Sequence, residues 1–355
     1  MNNHYCPAFF GVLLAVGLLG CRDAAVGPVT AEGDAREKEQ QPDPEPAKSP
    51  TLAGVASASA ESAIASKPDQ PGALDGETQK LLEHLTGARA VRARPISKRS
   101  LSLKLSLRDG RDAAFKPLLS EKRTARYEVA AFRVSRLLGL SFVPPSTMRR
   151  IPLDNFAWML GEEHSEINEA LRKEAHLDDR SGVWGAAIVW VDGLEPSGLE
   201  GSAGLERLGQ LLALDGPSVD QEPLVVEASA LLVFDYVTGN WDRFSGGNLF
   251  RDADGGQLVL LDNNGAFGRW SEIKQERMDG LLQRAFRFSR RLIASLRALN
   301  SSEIERALER DPWHQTRRLL TRRERELVLA RRDAVLSHVD ALLAEYGAER
   351  VLVFP

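Results

Sequence analysis

The chain has 355 residues, with 46 lysines and arginines against 50 aspartates and glutamates, so its formal net charge is −4 at pH 7. This length allows one large domain or two modest ones, and the charge balance predicts no nucleic-acid partner, since such proteins usually present a basic surface. The two cysteines, Cys6 and Cys21, precede the predicted folded region, which is therefore expected to contain no disulfide and no thiolate metal site.

The first 21 residues are predicted to be a signal peptide. The apolar run at residues 7–20 is short for a membrane-spanning helix but has the length of a signal-peptide hydrophobic region. Leu-Leu-Gly-Cys at residues 18–21 resembles a bacterial lipobox, which would make Cys21 the lipidated first residue of a mature lipoprotein. No lysine or arginine precedes the run, where a signal peptide usually carries positive charge. The alternative to a lipoprotein is an uncleaved membrane anchor. We expect the protein at the cell envelope, on the extracytoplasmic side, with a lipid anchor on Cys21.

Residues 22–79 are predicted to form a disordered tether. The segment is rich in Pro, Ala, Ser and Glu, and cannot bury enough apolar surface to offset its ordering entropy. Folded structure is expected to begin near Thr78. Residues 80–355 would then form one working domain, with a strand-rich lobe at about 95–190 and a helical lobe at about 191–355.

A hairpin is predicted at the start of this domain. Residues 101–107 alternate strictly between apolar and polar, which is the period of a half-buried strand. Asp109-Gly110 is a strong turn signal, and residues 111–117 would form the return strand. Residues 120–138 are predicted to be helical, with an apolar stripe that stops at Gly139.

The later part of the chain is predicted to be mainly helical. Residues 185–191 have the composition of a buried strand, and residues 222–237 form an apolar helix. Two capping boxes and a glycine predict further helix boundaries, at Ser302-x-x-Glu305, Thr321-x-x-Glu324 and Gly347. Strands first and helices later predict an α+β fold of two lobes, with a small β-rich N-terminal lobe containing one helix and a mainly helical C-terminal lobe.

Residues 232–268 carry the polar side chains that phosphoryl transfer requires. Asp242 and Asn248 lie in a loop after the apolar helix. Asp262 follows four consecutive apolar residues, so its carboxylate is expected at the buried end of a strand. Transfer from a nucleotide needs a carboxylate near the incoming hydroxyl, and oxygen ligands for the divalent cations on the phosphates. Asp242 would accept or orient the hydroxyl proton, while Asn248 and Asp262 would bind cations. The alternatives are a turn cap for Asp242 and a local backbone hydrogen bond for Asn248.

Two charged residues in the predicted N-terminal lobe complete this set. Lys116 ends a strand and Glu128 flanks the apolar stripe of the next helix, an order that is typical of the Lys–Glu ion pair of kinases. Each alone could be an ordinary surface charge. The buried strand is expected to line the nucleotide slot near Val189, Trp190 and Val191. No Gly-x-Gly-x-x-Gly precedes the hairpin, and the candidate substitutes for that loop are Lys98, Arg99 and Ser100.

Five ordered blocks of the sequence resemble the secretory-pathway kinases, a family that includes the Golgi casein kinase, the glycan xylose kinase and four-jointed. The blocks are FKP at 115–117, YEVAAF at 127–132, VPP at 143–145, FDYVTGNWDR at 234–243 and LDNNGAFG at 261–268. The ordered set is far more specific than any single motif. This resemblance implies an atypical protein-kinase-like fold.

The resemblance also implies roles for individual residues. Lys116 would bind phosphate, Glu128 would be its ion-pair partner, Asp242 would be catalytic and Asp262 would bind metal. It further implies ATP with Mn²⁺ or Mg²⁺, and a secreted protein or a glycan as acceptor. The chain departs from the family in having Phe-Ser at 244–245, where a histidine usually follows Asp-Arg. The loop at 246–248 is more similar to HipA-type and phosphatidylinositol kinases.

The leading hypothesis is an ATP- and divalent-metal-dependent kinase acting on a hydroxyl of a protein or a glycan. One alternative is a catalytically silent pseudokinase at the cell envelope, where ATP is scarce. The intact set of Lys116, Glu128, Asp242 and Asp262 argues against it. The other alternative is a HipA-like cytoplasmic serine kinase, which would require that the N-terminal segment is not exported.

Overall fold

The computed structural model describes residues 74–97, 100–253 and 256–355. The predicted signal peptide with Cys6 and Cys21, most of the predicted tether, and Lys98 and Arg99 lie outside the described residues. Within the part of the chain that is described, no helix combines the length and the apolar character needed to cross a membrane.

An antiparallel sheet of five strands, in the order β1-β2-β3-β5-β4, forms the core of the first part. Its strands are β1 (Ala90–Pro95), β2 (Leu103–Leu107), β3 (Asp112–Pro117), β4 (Ser146–Pro152) and β5 (Gly182–Val189). The predicted hairpin is the β2–β3 pair, in which Leu103 lies opposite Phe115. Gly110 in its turn has φ +87°, which a residue with a side chain rarely adopts.

Four helices accompany this sheet, where the sequence predicted one. They are α1 (Gly76–Gly87), α2 (Arg126–Leu137), α3 (Leu153–Leu160) and α4 (Ser165–Glu174). The three additional helices have weak sequence signals, because α1 buries only Thr78, Leu82 and Leu85, α4 buries only Leu171, and α3 has eight residues.

The predicted helix at 120–138 begins later than expected, at Arg126. The backbone N–H of Ser120 donates to the carbonyl of Glu174, so the start of this stretch is held against the end of α4, and only a short 3-10 turn, Arg123–Ala125, precedes α2.

The second part of the described chain contains eight helices and a three-stranded sheet in the order β6-β7-β8. The strands are β6 (Leu194–Pro196), β7 (Leu249–Asp252) and β8 (Leu258–Leu260). The helices are α5 (Gly201–Leu212), α6 (Leu224–Thr238), α7 (Glu272–Leu282), α8 (Arg290–Ala298), α9 (Ser301–Glu309), α10 (Pro312–Thr316), α11 (Arg322–Tyr346) and α12 (Ala348–Val351). All 15 residues of α6 are buried, so this helix is the centre of the helical part. The predicted α+β, two-lobed class is confirmed.

The helix-boundary predictions differ in outcome. The capping box at Thr321 and Glu324 is present at the start of α11, and Gly347 ends that helix. The capping box predicted at Ser302 is wrong, because the N-cap of α9 is Asn300, whose side chain accepts hydrogen bonds from the N–H groups of residues 302 and 303. An asparagine caps a helix as well as a serine, so the two positions compete locally.

Candidate active site

Lys116 joins two carboxylates that come from different elements. Its Nζ atom lies 2.6 Å from Oε1 of Glu128 on α2, and 3.0 Å from Oδ1 of Asp262, which follows β8. The Lys116 side chain is 18% exposed and that of Glu128 3%, so their contact is largely shielded from water. Burial alone lowers the pKa of the Lys116 ammonium, but the charges of Glu128 and Asp262 outweigh it and raise the pKa. The ammonium therefore stays charged at neutral pH.

The strand pattern explains how Lys116 reaches this position. In β3, Ala113 and Phe115 are fully buried, and alternation turns Lys116 to the opposite face of the sheet. Strand β5 approaches closely at Gly185, where a Cβ atom would lie 2.5 Å from the Lys116 carbonyl oxygen and 2.6 Å from the Phe115 ring. The glycine therefore allows β5 to pair with the strand that carries Lys116.

Glu128 also binds the loop that carries Asp262. Its two carboxylate oxygens accept hydrogen bonds from the backbone N–H of Asn263, at 3.1 and 3.0 Å, and Oε2 accepts another from the Asn263 side chain at 3.2 Å. Asn263 is 1% exposed and was not selected from the sequence. The available sequence signal is its position directly after Asp262. Glu128 thus holds Lys116 and Asp262 in place together.

Asp262 has an unusual backbone conformation. Its φ is +51°, in the left-handed region that residues other than glycine rarely adopt. Such a conformation persists only where the surroundings hold it, and the hydrogen bonds from Asn263 to Glu128 do so here. The sequence predicted a carboxylate at the buried end of a strand. Instead β8 ends at Leu260 and the Asp262 side chain is 39% exposed, so this carboxylate is accessible to a ligand.

Asp242 lies in the loop after α6, whose C-cap residue is Gly239 with φ +80°. It precedes a short 3-10 turn, Arg243–Ser245, and its side chain makes no capping hydrogen bond there. Among the described residues, no hydrogen bond or ion pair engages its carboxylate. The turn-cap alternative for Asp242 therefore does not describe this structure. The carboxylate is free to accept a proton from a bound hydroxyl.

Asn248 makes the local backbone hydrogen bond that was its alternative role. Its side-chain N–H donates to the carbonyl of Asp242 at 3.2 Å, which fixes the amide beside the candidate catalytic residue. The loop of Asp262 is also close to Asp242, since a Cβ atom on Gly265 would lie 3.7 Å from Cβ of Asp242. The structure therefore brings Asp242, Asn248 and the loop of Asp262 together.

Arg243 connects the two loops that carry the candidate aspartates, and sequence analysis did not select it. It is fully buried, and two of its donors bind Asp235 on α6 at 2.9 and 3.2 Å. The others bind the Asn263 side chain at 2.6 Å, the carbonyl of Asn248 at 2.8 Å and the carbonyl of Leu261. The available sequence signal was an aspartate inside the otherwise apolar stretch at 230–237, followed eight residues later by an arginine.

The residues that could hold a divalent cation are Asp262 and Asn248. In the three described stretches, no group of three or more His, Cys, Asp or Glu side chains is placed to hold a metal ion. Mg²⁺ is usually bound in phosphoryl-transfer enzymes through one or two carboxylates together with substrate phosphates. One accessible carboxylate and one oriented amide fit a cation that arrives with a nucleotide.

The prediction for the nucleotide slot is wrong for one side chain. Val189 pairs with Ala113, so its side chain lies on the opposite face of the sheet from Lys116. Ile188 pairs with Ala114 and shares the face of Lys116 instead. A buried strand does not reveal from its own sequence which face meets a ligand. Val191 lies two residues beyond the end of β5, and its role stays a prediction.

The chain was also compared with known proteins. No protein-family model and no curated protein sequence matches it. Its fold is similar to the crystal structure of the Golgi casein kinase with Mn and ADP bound, with a TM-score of 0.59, 14% identity and 79% of each chain covered. A second structure of the Golgi casein kinase gives a TM-score of 0.61 at 14% identity, with 79% of each chain covered.

The structure of hydra Fam20 with sugar gives a TM-score of 0.61 at 19% identity, with 82% of this chain and 95% of that chain covered. These similarities extend over both the sheet-containing and the helical parts of the described chain. The resemblance seen in the sequence blocks is thereby confirmed at the level of the fold. This chain has the fold of the secretory-pathway kinases.

Proposed function

We propose that this protein is a divalent-metal-dependent kinase that transfers the γ-phosphoryl group of ATP to a hydroxyl of a protein or a glycan. The observation that carries the proposal is the contact of Lys116 with both Glu128, at 2.6 Å, and Asp262, at 3.0 Å. Kinases require a lysine–glutamate ion pair and a metal-binding aspartate in place at the same time. The similar fold of the Golgi casein kinase with Mn and ADP bound supports the same function.

The side chains at the candidate site would have different roles in the reaction. Lys116 would donate hydrogen bonds to phosphate oxygens, and Glu128 would keep its ammonium aimed at them. Asp242 would accept the proton of the acceptor hydroxyl while the hydroxyl oxygen forms a bond to the γ-phosphorus. The bond between the γ-phosphorus and the bridging oxygen of the β-phosphate breaks at the same time, which releases ADP. Mg²⁺ or Mn²⁺, held by Asp262 and Asn248, would neutralise charge on the phosphates.

The decisive test replaces each aspartate by asparagine in the purified protein. Asp262→Asn should abolish the stabilisation by ATP with Mn²⁺ or Mg²⁺, which for a ligand at 100 times its Kd is about 2.7 kcal/mol. Asp242→Asn should keep that stabilisation but lower phosphate transfer by about 100-fold or more, because general base catalysis contributes that much. Thermal unfolding and transfer of labelled phosphate to protein and glycan mixtures measure the two effects.

Asp154→Asn is the matched control, because the Asp154 side chain is 89% exposed and lies on α3, away from the site. It should change neither measurement. Phosphate transfer that survives Asp242→Asn would contradict the catalytic assignment. ATP binding without any transfer by the wild-type protein would instead favour the pseudokinase alternative.

We further propose that the working domain lies outside the cytoplasmic membrane and is anchored through Cys21. The support is the apolar run at 7–20 and the lipobox-like residues 18–21. A reporter enzyme that is active only outside the cytoplasm, fused after Cys21, should be active, and Cys21→Ser should release the protein from the membrane. An inactive reporter would favour the HipA-like cytoplasmic alternative.

A further inference from the structure

A second lysine lies on the same face of the sheet as Lys116. The β2–β3 register pairs Lys104 with Ala114, and the β3–β5 register pairs Ala114 with Ile188 and Lys116 with Ala186. Because side chains alternate along strands, all five of these residues share one face. We call this face the roof of the candidate nucleotide site.

Contacts on two sides fix the position of the Lys104 ammonium on the roof. Its side chain is 10% exposed, and Nζ lies 2.7 Å from Oδ2 of Asp112 and 4.0 Å from the centroid of the Trp190 ring. Asp112 is itself held by a hydrogen bond of 2.9 Å from the Ser106 hydroxyl. An ammonium has three donor hydrogens, of which the carboxylate and the ring engage two. One donor of a positioned, mostly buried cation remains for a ligand.

The position of the phosphates determines where a nucleoside would lie. If Lys116 binds phosphate, the nucleoside extends from it along the roof in one of two directions. In the direction of β4, helix α2 packs against β4 and β5 and places Glu128 beside Lys116, so that space is filled. Towards the start of β3 lie the small side chain of Ala114 and then the Lys104 ammonium, which lies 4.0 Å from the centroid of the Trp190 ring. The base therefore comes to lie beside Lys104.

We propose that Lys104 makes the base subsite recognise a purine with an oxygen at position 6, so that GTP and ITP bind at least as tightly as ATP. The inference rests on the proposed nucleotide-dependent function. Guanine and hypoxanthine present two adjacent acceptors, O6 and N7, to a lysine. Adenine keeps the N7 acceptor but has an amine donor at position 6, which an ammonium cannot bind, so the oxygen at position 6 is what distinguishes the bases. One such contact changes affinity by about tenfold.

The experiment measures the Kd of ATP, ITP and GTP for the full chain in the presence of Mg²⁺. ATP and ITP form the sharpest pair, since they differ at position 6 of the base. The wild-type protein should bind ITP at least as tightly as ATP. Lys104→Met keeps the length of the side chain and its packing on Trp190 but removes the hydrogen-bond donors. It should therefore lower the affinity for ITP and GTP about tenfold relative to the affinity for ATP.

Two further variants control for other effects. Lys274→Met removes the ammonium that lies 3.5 Å from the centroid of the Trp241 ring, outside the roof, and should leave the ratio of ITP to ATP affinity unchanged. Lys104→Met combined with Asp112→Asn removes both charges of the ion pair, so no carboxylate is left without its partner. This double variant should show the same loss of ITP affinity as Lys104→Met alone.

Tighter binding of ATP than of ITP by the wild-type protein would overturn this inference, and so would an unchanged ratio of ITP to ATP affinity in Lys104→Met. Either result would leave the proposed kinase function intact. Failure of all three nucleotides to bind with Mg²⁺ or Mn²⁺ would instead overturn the proposed function, and the inference with it.

Discussion

The buried guanidinium of Arg243 has five N–H donors, and the structure provides an acceptor for each of them. A buried charge without partners is costly, so the acceptors must stay where they are for the fold to be stable. They belong to α6, to the loop of Asn248 and to the loop of Asp262. One side chain therefore fixes the relative position of the two loops that carry the candidate aspartates.

Glu227 is a second buried ionisable residue, and its burial predicts how the free energy of unfolding depends on pH. Burial raises its pKa to about 7, although the backbone N–H of Leu258, 3.2–3.3 Å from its oxygens, acts in the opposite direction. Between about pH 4.5 and pH 7 the folded protein therefore binds this proton more tightly than the unfolded chain, so the free energy of unfolding falls as the pH rises through that window. Above about pH 7 this fall in the free energy of unfolding is complete.

The Glu227→Gln variant lacks this pH-dependent contribution to the free energy of unfolding. The stability of the wild-type protein relative to the variant should fall by about 1–3 kcal/mol between pH 5 and pH 8, since one pKa unit corresponds to about 1.4 kcal/mol. Urea unfolding at several pH values measures the difference. Glu326→Gln, at an exposed position on α11, is the control and should show no such trend. A difference that stays constant with pH would contradict the assignment to Glu227.

At the scale of the elements, helix α2 carries Glu128, and the start of α11 binds the first turn of α2. Both oxygens of Glu324 accept hydrogen bonds from the Arg126 guanidinium, at 2.9 and 2.6 Å, and one also accepts the Tyr127 hydroxyl at 2.5 Å. The Tyr127 ring in turn packs against Phe267, with centroids 5.5 Å apart, in the loop that follows Asp262. Glu324 therefore anchors the first turn of α2, next to Glu128.

Glu324→Gln tests whether this anchor positions the candidate site. Hydrogen bonds to a charged group contribute about 1.5–3 kcal/mol, so the free energy of unfolding should fall by about 2 kcal/mol. If the anchor also keeps Glu128 beside Lys116, the Kd for ATP should rise several-fold at a temperature where the variant is fully folded. Isothermal calorimetry of ATP with Mg²⁺ measures the affinity.

Glu326→Gln makes the same change two residues further along α11, where the side chain pairs with Arg322 and not with α2, so it should leave both quantities unchanged. An unchanged ATP affinity in folded Glu324→Gln would show that the anchor stabilises the fold but does not position Glu128.

At the scale of the whole molecule, the sheet-containing and helical parts are also joined by a buried aspartate. Asp311 is fully buried at the start of α10, and it accepts hydrogen bonds from the Thr147 hydroxyl at 2.9 Å and the Met148 N–H at 3.2 Å, both on β4. Its carboxylate also lies 3.9 Å from the Arg133 guanidinium on α2. Together with Glu324, it joins the helical part to α2 and β4.

Much of this architecture could be predicted from local sequence patterns. Strict alternation at 101–107 and the Asp109-Gly110 turn predicted the hairpin that ends at Lys116, because a strand has a period of two residues. A mainly apolar stretch at 222–237 predicted the central helix α6, and Thr321 with Glu324 predicted the start of α11. Each of these signals lies within a few residues, so the sequence carries it directly.

The contacts that assemble the candidate site were decided by the tertiary structure. Glu128 and Asn263 are 135 positions apart, and their hydrogen bonds exist only because α2 packs beside the loop after β8. Packing also decided the five hydrogen bonds of Arg243, and the strand register that places Val189 on the opposite face from Lys116. The sequence by itself determined which side chains were available and which short elements carry them. Which of them meet depended on packing between distant elements, because periodicity describes one element at a time and does not specify its neighbours.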